Sequence, residues 1–554
     1  MRRHAPVVLL ALLAAAASAG CGRRDPDGGG TGQDPGDILP VFTDATAASG
    51  VAFTSLSRAD AASYGQGAAV ADIDADGDLD IFLTQDSGPC ALYRNDGGLR
   101  FTEIAAAAGV QVEATEAHAK SAAFFDFDRD GFPDLFVGTT GEGNRLFRNL
   151  GDGTFLDATA AAGVGGGSSF TVSAAAGDFD GDGWPDLYEC NFAPTDYDDP
   201  SALQEDPAPN RLWRNNRDGT FTDLAPALGV DDPTATWAAL WLDLDGDGDQ
   251  DLLVADDGFF YPAVATRDRA FLNGGPAAGF AFTDRGPEYG LGEAHFGMGF
   301  SAGDLDGDGT TDIYVSDLGP NELRLGGDPL PRPDRAPLWG IQQGRDPAGN
   351  NLISWGSAME DFDRDGRLDL LVMNGLFAAQ PPGPAATNRQ PPALFLARTA
   401  PPRSGALAGL EFVEVALEAG LRTLGVTGGR AALPCDLDGD GDLDLVFSTR
   451  HGPARVVRND TPPRGPWYGV RLRGTRSTRE GLGAALELRQ GGRTVRRLVT
   501  AGGQPGSSLP PEAILAPGPG AAGEASLTVR WPSGTVQEVR PARNVWTVVV
   551  EPSD

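Results

Sequence analysis

The stretch that decides the fold is Asp72-Ile73-Asp74-Ala75-Asp76-Gly77-Asp78-Leu79-Asp80. It has the form D-x-D-x-D-G-x-x-D, and the same nine-residue form starts again at Asp126, Asp178, Asp243, Asp304, Asp361 and Asp436. Every copy keeps Asp at positions 1, 3, 5 and 9. Every copy also keeps Gly at position 6, as Gly77, Gly131, Gly183, Gly248, Gly309, Gly366 and Gly441. Carboxylates at alternate positions of a curled loop converge on one centre, and glycine at position 6 permits the sharp turn. Such a site suits Ca²⁺, a hard cation that accepts six to eight oxygens in a flexible shell. Mg²⁺ demands a stricter octahedron.

The candidate ligands follow from the spacing. They are Asp72, Asp74, Asp76 and Asp80; Asp126, Asp128, Asp130 and Asp134; Asp178, Asp180, Asp182 and Asp186; Asp243, Asp245, Asp247 and Asp251. The last three loops give Asp304, Asp306, Asp308 and Asp312; Asp361, Asp363, Asp365 and Asp369; Asp436, Asp438, Asp440 and Asp444. The expectation is up to seven Ca²⁺, one per repeat.

The flanks exclude an EF-hand, which needs Glu at position 12 and a helix on each side. Here short apolar runs follow the loops, such as Ile81-Phe82-Leu83 and Leu252-Leu253-Val254, and small apolar runs precede them, as in Gly67-Ala68-Ala69-Val70-Ala71. These read as buried strands, so each loop joins the two strands of a hairpin. A second phrase follows most loops: Asn144-Arg145-Leu146-Phe147-Arg148-Asn149, then Gly151-Asp152-Gly153-Thr154-Phe155, then Ala162-Gly163-Val164. The repeating unit is therefore strand, loop, strand, strand, Asp-Gly hairpin and a fourth strand. Four strands in a unit of about 60 residues suit a β-propeller blade. The reading is all-β: a seven-bladed β-propeller over 41–462, then a small C-terminal β domain over 463–554.

The two ends of the propeller segment complement each other. Phe42-Thr43-Asp44 is a fourth-strand phrase with no loop before it, and the seventh unit lacks one after Asn459. The first segment is expected to complete the last blade, which removes two exposed sheet edges.

These phrases resemble the FG-GAP/VCBS repeat family, whose propellers include the integrin α-subunit head. The tail, with Gly481-Leu482-Gly483-Ala484 and Trp531-Pro532-Ser533-Gly534, resembles the ASPIC/UnbV domain. It departs from that pattern at Thr478 and at Ile514-Leu515-Ala516-Pro517-Gly518. The arrangement is similar to the cartilage acidic protein family and its bacterial members. The resemblance implies an exported calcium-binding propeller with no assigned activity.

Charge separates the two parts. The formal net charge is −35, and seven bound Ca²⁺ would leave about −21. Such a surface disfavours nucleic acid. Residues 467–551 instead carry 11 Arg against 6 acidic residues. Arg471, Arg473, Arg476, Arg479, Arg493, Arg496 and Arg497 are candidates to face the acidic propeller, an anionic glycan or a lipid headgroup, or simply solvent.

At the N-terminus, Arg2 and Arg3 precede an apolar run and then Ser18-Ala19-Gly20-Cys21. This reads as an export signal over 1–21, with Cys21 as a lipidation site or, alternatively, cleavage after Ala19. A flexible Gly/Pro/Asp-rich linker over 22–40 follows. The expected location is the bacterial cell envelope or the exterior, with membrane contact only through that anchor. Three further cysteines, Cys90, Cys190 and Cys435, are odd in number, so no full disulfide framework exists; the readings are buried free thiols or one disulfide with one free thiol.

Long insertions at 191–209, 256–268 and 375–392 fall between the second and third strands, at the end of the blades away from the loops. Residues 195–206, 259–261 and 377–388 are the expected recognition surface. No catalytic motif is present. The function expected is a binding or adhesion module for a protein or glycan, with structural Ca²⁺. The alternative is a calcium-dependent polysaccharide lyase or hydrolase acting at that same end.

Overall fold

A computed structural model describes residues 38–55, 66–112, 118–141, 143–165, 170–192, 208–257, 266–292, 296–345, 352–375, 390–399, 409–426, 428–450 and 452–553. The signal segment, Cys21 and the three expected recognition stretches lie outside the described residues.

The fold is all-β. Among the described residues seven antiparallel sheets each contain one aspartate loop, which joins the first strand to the second. Ala68–Ala71, Asp80–Leu83, Ala91–Asn95 and Phe101–Glu103 form the first sheet. The first strand of each sheet lies against that of the next, and Gly429–Cys435 of the seventh lies against Ala68–Ala71 of the first. The sheets thus form a closed ring. First and second strands are buried on both faces, which is why they read as continuous apolar runs rather than as alternation.

The complementary ends meet as expected. Phe42–Asp44 pairs antiparallel with Arg455–Asn459 as the outer strand of the seventh sheet, with Phe42 opposite Asn459 and Asp44 opposite Val457. Phe42 is buried and meets Phe362 edge-on at 6.3 Å between ring centroids.

The fifth sheet departs from the four-strand unit. It holds Gly297–Gly303, Asp312–Asp317 and Glu322–Arg324. A single bridge from Arg324 to Asp334 and the helical turn Ala336–Trp339 stand where a fourth strand was expected. Pro329, Pro331, Pro333 and Pro337 crowd this stretch. Proline supplies no N–H to a ladder, so a regular strand does not form.

A helical turn also follows the outer strands of the first three sheets and the strand that closes the seventh, and the repeat phrase did not foretell it. Thr159–Ala162 ends at Gly163, whose φ of 79° lets its N–H reach back to Thr159 O. The Ala-Gly-Val phrase is this left-handed cap.

The tail domain packs two sheets face to face. Tyr468–Arg473 lies between Glu512–Leu515 and, in parallel, Trp546–Val550; the other sheet runs Arg493–Leu498, Ala485–Gln490, Ser526–Arg530, Val536–Val539. Leu486, Leu488, Leu515, Leu527, Val529 and Trp531 fill the space between them.

Ring closure rests on one short strand. Phe42→Ala is expected to lower stability by about 3 kcal/mol, within the range for truncating a buried aromatic. Equilibrium denaturation in urea measures it, and an effect near zero would mean the closing strand contributes little.

Candidate metal centres and the domain that covers them

The ninth aspartate of each loop is a backbone clasp. Asp80 Oδ2 accepts the N–H of Ile73 (2.9 Å) and Oδ1 accepts that of Asn95 (2.7 Å). The pattern recurs at Asp134, Asp186, Asp251, Asp312, Asp369 and Asp444, each taking one N–H from loop position 2 and one from the third strand or, at Asp312, from Gly326 two residues beyond it. The asparagine ending the third strand then reaches into the neighbouring sheet. Asn149 Nδ2 donates to Ile73 O (2.8 Å), Asn215 to Phe127 O, Asn273 to Phe179 O and Asn459 to Phe362 O. Asn95 donates to Leu437 O (2.9 Å), which stitches the first sheet to the seventh.

Around these clasps the other aspartates converge. Asp72, Asp74 and Asp80 bring one oxygen each within 4.8 Å of one another, as do Asp126, Asp128 and Asp134; Asp178, Asp180 and Asp186; Asp243, Asp245 and Asp251; and Asp304, Asp306 and Asp308. Several of these acidic clusters are buried and are able to hold metal ions. The first-position carboxylate also accepts the N–H of the position-6 glycine in all seven loops, as in Gly131 to Asp126 Oδ2 (2.8 Å). The remaining oxygens are the telling ones. Buried Oδ1 atoms of Asp72, Asp74, Asp180, Asp304, Asp363 and Asp438 have no hydrogen-bond partner. A buried, unsatisfied carboxylate oxygen is costly. Oxygens of this kind turned to a common centre are the donor set that Ca²⁺ prefers, so the residues present fit the ion.

Arginines meet some loop carboxylates, which the sequence reading did not foresee. Arg214 pairs with Asp180 (2.8 Å), Arg148 with Asp130 (3.0 Å), and Asp363 holds both Arg398 (3.0 Å) and Arg464 (2.9 Å). Arg148 and Arg214 precede the clasping asparagine, so the Arg-Asn pair of the repeat phrase was a signal for both contacts.

The tail domain covers every loop. Arg471 donates to Gly77 O (2.9 Å), and Arg129 of the second loop donates to Thr475 O (3.1 Å). A Cβ on Gly183 would lie 2.0 Å from Arg476 O. Gln250 donates to Leu482 O (2.8 Å), and Arg496 pairs with Asp304 (3.0 Å). Pro517 O lies 3.2 Å from where a Gly366 Cβ would be, and Trp546 Nε1 donates to Asp436 Oδ2 (3.2 Å). Of the seven arginines singled out in the tail, Arg471, Arg479, Arg496 and Arg497 reach the propeller with their side chains, and Arg476 only with its backbone carbonyl, its guanidinium donating to Thr535 Oγ1 (3.3 Å). Arg493 donates within the tail to Pro517 O (3.0 Å), and Arg473 is exposed.

Residues 501–508 of the tail enter the ring and bond to the free edges of the first strands. Ala68 N–H donates to Ser507 Oγ (3.0 Å), Ala122 N–H to Gly506 O (3.1 Å), Phe300 N–H to Gly503 O (2.7 Å) and Ala432 N–H to Gln504 Oε1 (2.9 Å). Gly503 N–H donates to Ala239 O (2.8 Å), and Ser173 Oγ to Gln504 O (3.4 Å). The fit demands glycine: a Cβ on Gly67 would sit 1.7 Å from Gly506 O. The sequence reading passed over this segment, although its Gly502-Gly503 and Gly506-Ser507-Ser508 steps mark close backbone approach.

Residues 72–137, 126–189 and 201–254 match an FG-GAP-like repeat, and residues 474–553 match ASPIC and UnbV. The chain carries FG-GAP-like repeats and an ASPIC and UnbV domain. Cartilage acidic protein 1 of Mus musculus is 30% identical over 198 residues, 34% of this chain and 28% of that protein. The Xenopus tropicalis protein of the same name is 32% identical over 199 residues, again 34% and 28%. The alignment thus spans about 28% of the length of these relatives. Among solved structures, an Agrocybe aegerita lectin specific for non-reducing terminal N-acetylglucosamine aligns with TM-score 0.39 and 17% identity, covering 64% of this chain and 80% of its own. PorZ, a surface component of the Porphyromonas gingivalis type-IX secretion system, aligns with TM-score 0.35 and 12% identity, covering 90% and 60%.

Cys90, Cys190 and Cys435 are buried free thiols, and burial holds all three above the ordinary thiol range, Cys90 at about 12. They are inert as nucleophiles at neutral pH. His118 opens a first strand with Nδ1 3.5 Å from Asp86 Oδ1; His295 and His451 lie outside the described residues.

Burial also raises the loop carboxylates. Asp80 and Asp126 reach about 8, the latter helped by Glu480 of the tail; Asp178, Asp251, Asp312 and Asp436 reach about 7. The ion-free folded chain therefore keeps protons that the unfolded chain has released. Its stability is full below the ordinary carboxylate range and falls as pH rises from about 4 through about 8. Bound Ca²⁺ replaces those protons and reverses the slope, since acid then competes with the ion. Melting temperature against pH, with chelator and with Ca²⁺, measures both arms; a flat chelated profile would contradict the burial argument.

Proposed function

We propose that this chain is an exported, calcium-stabilised propeller that binds a protein or glycan partner, its ions structural and its recognition surface at the ring end away from the loops. FG-GAP-like repeats with an ASPIC and UnbV domain form a binding-type module, and that family context suggests no catalysis. The observation that carries the reading further is the coverage of all seven loops by the tail domain. The loop end is occupied within the chain itself, which leaves the opposite end for a partner. The long insertions expected to do the recognising join second to third strands and so depart from that opposite end. Loops on a rigid scaffold commonly carry recognition. The N-terminal signal supports export, with anchoring through Cys21.

Two measurements test this. After chelation, Ca²⁺ is expected to raise the melting temperature well beyond Mg²⁺. A site with a dissociation constant one-hundredth of the free ion concentration contributes about 2.7 kcal/mol. No shift would remove the ions from the reading. A glycan array and a surface-protein capture screen then probe the free end. Deleting 195–206 together with 377–388 is expected to abolish capture while the Ca²⁺-dependent melting shift persists. Unchanged capture would overturn the assigned surface.

A further inference from the structure

The sixth loop, Asp361 to Asp369, is built unlike the others. Its four aspartates, Asp361, Asp363, Asp365 and Asp369, are buried, none more than 5% exposed. In the fourth loop, by contrast, Asp243, Asp245 and Asp247 are all exposed. The tail closes over the sixth loop so tightly that a Cβ on Gly518 would lie 2.1 Å from Asp365 O.

Three arginines reach into this closed space. Asp363 Oδ2 is met by Arg398 Nη1 (3.0 Å) and by Arg464 Nη1 (2.9 Å). Asp365 Oδ2 is met by Arg367 and, at 3.5 Å, by Arg398. Arginines touch the second and third loops too, but there Arg148, Arg214 and Arg217 have side chains 41%, 39% and 49% exposed. Such a side chain can turn into water when a cation arrives. Arg398 and Arg464 are 8% and 4% exposed and have no such exit. A guanidinium cannot shed its proton either.

The sequence carries the same difference. The phrase Leu146-Phe147-Arg148-Asn149 becomes Leu394-Phe395-Leu396-Ala397-Arg398 in the sixth repeat. The arginine has moved two places along the strand, which keeps it on the same face. Arg464 belongs to the segment that joins ring to tail and has no counterpart in the repeat.

Charge decides what the loop can accept. Four carboxylates against three guanidinium groups leave one negative charge, and a Ca²⁺ would turn that into a net positive charge shut away from water. Burying uncompensated charge is costly. Asp363 Oδ1 is still without a hydrogen-bond partner, but one oxygen is far from the six to eight that Ca²⁺ takes. The fourth loop offers five aspartates, and Leu272 stands where its repeat phrase would place the arginine.

We propose that the sixth loop takes no ion. Arg398 and Arg464, with Arg367, supply its positive charge from within the chain, and the ring holds Ca²⁺ at the other loops only. This rests on the calcium reading of those loops.

The test is an anomalous difference map from crystals of the full mature chain grown in Ca²⁺, recorded at a wavelength where calcium scatters anomalously. A peak is expected among Asp243, Asp245 and Asp247 and none among Asp361, Asp363 and Asp365. A peak in the sixth loop would overturn the proposal. Peaks in neither loop would instead overturn the calcium reading, and the proposal with it. In solution, tightly held Ca²⁺ is counted by atomic emission after gel filtration. Asp245→Ala is expected to lose one ion per chain and Asp363→Ala none. Loss of one ion in Asp363→Ala would count against the proposal as decisively as the peak. If that variant does not fold, the map decides alone.

Discussion

The ninth aspartate of each loop is the constraint on which the ring depends. Its two oxygens take one N–H from the loop and one from the strand or strand end two places away, so a single side chain fixes a turn and a sheet together. Seven such clasps, each backed in five sheets by an asparagine reaching the next loop, set the position of every sheet against its neighbour. A carboxylate accepting two backbone N–H groups is held by charge-assisted hydrogen bonds, the stronger kind. It also remains able to turn another lone pair to a cation. Clasp and metal ligand are then one residue, and ion occupancy and ring geometry are not independent.

The tail domain solves a second problem of the same ring. The first strands face the central axis with free edge groups, and unpaired edges buried away from water are costly. Residues 501–508 supply donors and acceptors to six of the seven first strands, and Gln504 Oε1 would lie 2.5 Å from a Cβ on Gly356 in the remaining one. This segment serves as a core element contributed by another domain. Part of the tail's positive charge is also used at the loops, where Arg471 meets a carbonyl and Arg496 a carboxylate, while Arg473, Arg489, Arg530 and Arg540 remain exposed.

Much of this was legible in the sequence because the signals were periodic. Asp at positions 1, 3, 5 and 9, glycine at 6, and apolar runs on both sides lead directly to hairpins in a repeating all-β ring, and the orphan phrase at Phe42 leads to its closing strand. What escaped was aperiodic or depended on distant partners. The Pro-rich run after Arg324, whose strands the sequence left unassigned, forms no fourth strand because prolines cannot feed a ladder. The short helical turns were hidden because Ala-Gly-Val marks a left-handed cap only once the preceding chain is known to coil. The asparagine stitches lie in the repeat phrase itself, yet their acceptors sit 76 to 342 residues away in sequence. No local pattern names them. The 501–508 segment had no repeat to announce it, and only its glycines hinted at close packing.

Carboxylates that meet across the domain joint bind the two problems together. Glu480 of the tail faces Asp126, and Glu512 stands near enough to Asp72 and Asp436 to act on both. Like charges brought together under burial must share a proton or a cation, or separate. Arg471 offsets part of this at the first loop, where it pairs with Glu512 (2.8 Å) and stacks over Trp546 at 4.7 Å. Arg129 and Arg479 act on Glu480 only from a distance, and its Oε2 is buried without a hydrogen-bond partner. The second loop is therefore where the seating of the tail is most tightly linked to the cation state of the ring.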